Sequence, residues 1–84
     1  MPDLSVRVLL FATLRDAVGR GELAVALPPG ATGADLLDRL AAEHPAVARH
    51  RPTVRLAVNH RYAPDATALA DGDEVALITP VSGG

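Results

Sequence analysis

Four apolar segments separated by two long gaps dictate the kind of sheet this chain can build. Val6, Val8 and Leu10 alternate with Ser5 and Arg7, and Leu23, Val25 and Leu27 alternate with Ala24 and Ala26. Each alternation predicts a strand with one buried face. Val54, Leu56 and Val58 predict a third, followed by a turn at Asn59-His60 and a short return through Tyr62 to Ala63. Val75 to Ile78 is apolar on both faces, the pattern of a central strand. The gaps from Leu27 to Val54 and from Val58 to Val75 are too long for hairpins. At least one connection must therefore cross over, and the sheet must be mixed.

The first gap holds the clearest helix. Thr32 is a good N-cap, and Asp35 three residues later approximates a capping box. Leu36, Leu37, Leu40 and Ala41 form a core stripe, with Asp35 and Arg39 spaced to pair outside it. Pro45 pushes His44 out of helical space and ends the helix. A shorter helix is expected from the recurrence of Phe11, Leu14 and Val18, stopped by Gly19. A four- or five-stranded mixed sheet with one main helix packed across it is an α+β architecture. A β-grasp arrangement fits, with the first two strands paired as in a hairpin and the last returning beside the first.

Composition narrows the functions available. The chain has 84 residues, 49% of them hydrophobic and 21% charged, enough apolar surface for one domain. Phe11 and Tyr62 are its two aromatics, so the core rests on Leu, Val and Ala and is thin; surface shared with a partner would help. All eight basic residues are Arg, against ten acids, for a net charge of -2. Nothing recruits nucleic acid by bulk charge, and the basic stretch from Arg49 to Arg61 lacks interleaved aromatics for base stacking. The absence of Cys removes disulfides, thiolate metal sites, iron-sulfur ligation and cysteine nucleophiles together. Plant-type ferredoxins, which share the β-grasp, are thereby excluded. Met1-Pro2-Asp3 has no basic leader, and Val8 to Ala12 is too short an apolar run for a signal peptide or membrane span. The expected setting is soluble and cytoplasmic.

Side-chain chemistry is sparse. His44, His50 and His60 match no compact metal-ligand spacing, so no metal site is expected. Gly19-Arg20-Gly21 lacks the third glycine and the strand-glycine-helix order of a phosphate loop. Ser5 and Ser82 have no adjacent His and acid. Asp71, Asp73 and Glu74 around Gly72 read as a solvated turn, because one short loop offers too few oxygens for Ca²⁺.

The C-terminal stretch remains. The last strand runs through Thr79-Pro80-Val81-Ser82 into Gly83-Gly84, which divides the chain into a domain at residues 1–78 and a flexible docking tail at residues 79–84. Six extended residues reach at most about 20 Å, and two without Cβ atoms can enter a passage too narrow for others. Such a tail can deliver its carboxylate into a second protein's active site. Joined to AMP, that carboxylate becomes an electrophile that a sulfur donor can convert to a thiocarboxylate. The sulfur then supplies the nucleophile that a cysteine-free chain lacks. With no Lys, the activated end also cannot form an isopeptide with a lysine of its own kind.

The stretches VRVLLFATLRDAVG, LPPGATGADLLDRL, LAVNHRYA and above all LADGDEVALITPVSGG resemble the small-subunit family of molybdopterin synthase, within the ubiquitin-like sulfur-carrier superfamily. The resemblance covers essentially the whole chain. Thr79 stands where a first proline is common in the family, and Ile78 where an aromatic is frequent. The resemblance implies a ubiquitin-like β-grasp fold and a carrier whose Gly84 is adenylated by an activating enzyme using ATP, then converted to a thiocarboxylate. It further implies that the tail enters the large subunit of the synthase, in a heterotetramer. Sulfur then passes to cyclic pyranopterin monophosphate in molybdenum cofactor biosynthesis. The catalytic acids and bases would belong to the large subunit, and the chain itself would bind no cofactor. Gly84 would carry the sulfur, Gly83 would give access, and Thr79, Pro80, Val81 and Ser82 would form the docking arm. Phe11, Arg15 and Ile78 would belong to the docking surface, although Phe11 fits plain core equally well. A sister carrier for thiazole or tRNA thiolation, and a ubiquitin-like binding module whose terminus is never activated, are the alternative readings.

Overall fold

The computed structural model describes residues 2–79. The expectations placed on Pro80, Val81, Ser82, Gly83 and Gly84 lie outside the described residues. Five strands form one sheet: β1 (Leu4–Leu10), β2 (Glu22–Leu27), β3 (Arg55–Val58), β4 (Arg61–Ala63) and β5 (Glu74–Ile78). Their order is β2-β1-β5-β3-β4. β1 runs antiparallel to β2 and parallel to β5, while β3 is antiparallel to both β5 and β4. The doubly apolar β5 is the central strand, and the sheet is mixed as its spacing requires. This is a β-grasp fold.

Helix α1 (Ala12–Val18) fills the connection between β1 and β2, and α2 (Gly33–Glu43) crosses one face of the sheet. Thr32 and Asp35 complete a reciprocal capping box, with the Thr32 N–H donating to Asp35 Oδ2 at 2.9 Å and the Asp35 N–H to Thr32 Oγ1 at 3.3 Å. Two further amides of the first turn are satisfied by the loop after β4: Gly33 N–H donates to Thr67 O at 3.0 Å and Ala34 N–H to Asp65 O at 2.7 Å. Leu36, Leu37 and Leu40 are buried against Val6, Val8, Leu10, Leu56, Val75 and Leu77 of the sheet, with Ala41 partly buried beside them. Each fully buried Leu or Val contributes about 1.5–3 kcal/mol, which is how a core without aromatics holds the domain.

Two local expectations are corrected. Asp35 does not pair with Arg39, because its carboxylate is engaged at the helix start. Arg39 turns instead to Glu43, with Nε 3.3 Å from Oε2, and donates from a terminal guanidinium nitrogen to Ala26 O on β2 at 3.1 Å. Pro45 ends α2 but also begins α3 (Pro45–His50), which buries Val47. Proline suits the first position of a helix because it has no N–H to leave unpaired there. His44, extended at φ -132° and ψ 105°, serves both helices as a cap.

Candidate functional site

Helices cover one face of the sheet, and the other face is open. Strand alternation decides which side chains stand there. Leu9 of β1 is opposite Ala76 of β5, Ala76 opposite Ala57 of β3, and Ala57 opposite Tyr62 of β4. One apolar row thus crosses four strands, small in the middle and large at both ends. On the tail side the next row pairs Arg55 with Ile78, and on the far side Arg7 faces Glu74.

The small alanines leave a shallow depression of about 350 Å³, bounded by Leu9, Phe11, Tyr62 and Ile78, with His60 and Glu74 at its polar end. Phe11 is 51% exposed and Tyr62 72% exposed, so both aromatics of the chain border this depression and neither is in the core. Exposed aromatics clustered on one apolar patch are the composition of an interaction surface rather than of scattered surface chemistry. The core alternative for Phe11 is thereby overturned. Phe11 caps α1 in an extended conformation at the end of β1, and the chain then bends sharply through Ala12 at φ +46°. Non-glycine residues seldom occupy that region, so the bend at this rim is locally strained.

Ile78 closes β5, and half-buried Thr79 follows it. The start of the expected docking arm therefore leaves the sheet at the margin of the depression. Arg15 does not line the depression. It sits one turn along α1 from Phe11, its side chain lying beside Gly21. Tyr62, Leu9, Ala57 and Ala76 were not anticipated as site residues. Their signal was the alternation with buried Leu56 and Leu77, which leaves positions 57 and 76 on the opposite face, but only the cross-strand register brings them together.

The opposite end of the face is polar and tied down. Arg7 donates to Glu74 Oε2 at 2.5 Å and lies 3.9 Å from Glu22. The hydrogen bond that Arg7 donates to Glu74, with the negative charges of Glu74 and Glu22, holds the Arg7 guanidinium pKa above its usual range. The acidic turn is a structural lock. Asp71 Oδ1 accepts from Ser5 N at 2.8 Å, and Asp73 accepts from Ala70 N at 2.8 Å and from Asn59 Nδ2 at 2.9 Å. Asn59 Oδ1 in turn accepts from Glu74 N at 3.0 Å, which joins the β3–β4 turn to the start of β5. The Asp71 and Asp73 carboxylates are spent on the Ser5 amide of β1, the Asn59 side chain and the Ala70 amide of their own loop. Among the described residues there is no cluster of three or more metal-ligating side chains, and no helix is long and apolar enough to cross a membrane.

Residues 8–84, including the terminal glycine pair, match the ThiS family. The chain belongs to this family. Among its relatives, the molybdopterin synthase sulfur carrier subunit of Chlamydomonas reinhardtii is 42% identical over 83 residues, covering 96% of this chain and 100% of the relative. The protein of the same description from Arabidopsis thaliana is 37% identical over 82 residues, covering 98% of this chain and 85% of the relative. Among solved structures, SAMP1 from Haloferax volcanii superposes with a TM-score of 0.83 at 35% identity, covering 95% of this chain and 99% of the other. The β-grasp of this ThiS-family chain thus presents two features in one place: an uncovered apolar face, and the strand end from which the matched glycine tail departs.

Proposed function

We propose that the chain is the sulfur-carrier subunit of a molybdopterin synthase, with the Gly84 carboxylate as its reactive group. Two relatives of that description at 37–42% identity support the reading. The observation that carries it in the structure is the position of Ile78, which both borders the apolar depression and closes the strand leading into the tail. A partner that docks on the depression receives the tail without further search. Gly83 and Gly84 then enter a narrow passage, and Thr79, Pro80, Val81 and Ser82 bridge the distance.

The chemistry follows from the carboxylate's poor electrophilicity. In a partner activating enzyme, a Gly84 carboxylate oxygen attacks the α-phosphorus of ATP, forming an acyl adenylate and releasing pyrophosphate. A sulfur donor at the oxidation level of hydrosulfide attacks the acyl carbon. AMP leaves, and a thiocarboxylate remains. Docked on the large subunit, the thiocarboxylate gives its sulfur to cyclic pyranopterin monophosphate, and water returns an oxygen to Gly84. Two sulfurs are required for a dithiolene, so two charged carriers act in succession, as a heterotetramer with two carrier sites would allow. The carrier contributes reach and a docking face, and the large subunit contributes the acids and bases. A charging step that consumes ATP suits a cytoplasmic setting.

Deletion of Gly84 tests this reading. The shortened chain should keep its far-ultraviolet circular dichroism and its urea midpoint, yet support no molybdopterin formation with the large subunit. Normal product yield from the shortened chain contradicts it.

A further inference from the structure

We propose that the partner receiving the tail presents a carboxylate to Arg55, making this arginine the residue that selects the partner by charge on an otherwise apolar docking face. The inference rests on the sulfur-carrier reading and adds to it the chemistry of the partner's surface.

Arg55 begins β3 and stands directly opposite Ile78, the last residue before the tail. It is exposed, and among the described residues no acid forms an ion pair with it. Asp65 lines the neighbouring hollow together with Arg55 and Tyr62 but does not pair with it. The other arginine of the open face, Arg7, is already satisfied by Glu74. Among the described residues, the unpaired arginine of this face therefore sits at the tail root, beside the apolar row.

The tail is short. Its six residues extend at most about 20 Å, so an acceptor that draws Gly84 into an active site must come down onto the strand end itself. That approach covers Arg55 along with Ile78. Removing water from an unpaired guanidinium is strongly unfavourable, and the burial of a few apolar side chains does not offset it. A bidentate carboxylate opposite Arg55 removes the penalty and fixes the docking register at the same time. A protein with an apolar or basic surface at that point is rejected, whatever fit it offers to Phe11 and Tyr62.

Titration calorimetry of the full chain against its large subunit, at low and high salt, tests the proposal with Arg55→Leu, Arg55→Glu and Arg55→Lys. The leucine variant should bind about tenfold more weakly and lose part of the salt dependence, and the glutamate variant about 100-fold more weakly. The lysine variant should recover most of the affinity lost by the leucine variant. All three should keep the wild-type urea midpoint, since among the described residues Arg55 pairs with no acid. Arg55→Leu binding that is equal or tighter, with an unchanged salt slope, overturns the proposal while leaving the sulfur-carrier reading in place. Wild-type protein that fails to bind the large subunit at all contradicts that reading and the proposal together.

Discussion

Gly33 at the start of α2 packs so closely on Leu56 of β3 that a Cβ at position 33 would overlap the Leu56 Cδ1 methyl and stand 3.1 Å from the Asp65 carbonyl oxygen. This contact sets the height of the helix above the sheet. It also brings the Gly33 and Ala34 amides within reach of the loop that follows β4. The Gly33→Ala variant should be destabilised by about 1–3 kcal/mol, because Leu56 is buried and the carbonyl is backbone, so neither can yield without repacking. Urea unfolding checks this; a stability equal to wild type would mean that the helix can lift freely.

The capping box makes a second prediction about the same helix. Thr32→Ala should cost about 1 kcal/mol, and Asp35→Ala a similar amount. Because the two side chains satisfy each other's backbone amides, the double variant should lose less than the sum of the single losses. A double-mutant cycle in urea measures the coupling, and strict additivity would show that the two caps act independently.

The open face should behave oppositely to the core. Phe11→Ala and Tyr62→Ala should each change stability by no more than about 0.5 kcal/mol, since both rings are exposed. Each should nevertheless weaken binding to the large subunit by about tenfold. Leu36→Ala, in the core, should cost about 2–5 kcal/mol. Loss of stability at Phe11 or Tyr62 without loss of binding would contradict their assignment to the docking face.

Arg39 protects an edge. It donates to the outward carbonyl of Ala26 on β2, an edge strand whose far side has no neighbour in the sheet. Unpaired edges invite pairing with a second chain. Arg39→Ala should therefore raise the fraction of dimer and larger species at high concentration, as read by light scattering. Scattering that stays at the wild-type value would show that the edge is protected by other means.

Much of the fold was legible because its signals are local. Val6, Val8 and Leu10 name their own buried face by alternation, and Thr32 with Asp35 marks the start of α2 through a contact only three residues long. α3 escaped because Pro45 carries two meanings, stopping one helix and starting another, and a single sequence does not choose between them. The pairing of Arg39 went wrong for a related reason. Spacing offered it Asp35, while the backbone amides of the helix start had the stronger claim on that carboxylate. The docking face was the least legible part. Phe11 and Ile78 could be named through resemblance, but Tyr62 joins them only because Ala57 and Ala76 pair in register across β3 and β5. That relationship links residues far apart in sequence, and no local pattern carries it.

The central claim concerns cargo carried at Gly84, and intact mass spectrometry reads it most directly. The full chain is incubated with its activating enzyme, ATP and a sulfide source, then weighed whole and after proteolysis. A population heavier by the replacement of one oxygen with sulfur, confined to the C-terminal peptide and absent when ATP is omitted, is the predicted result. A chain that keeps its unmodified mass under those conditions, while the same enzyme charges a known carrier, contradicts the account.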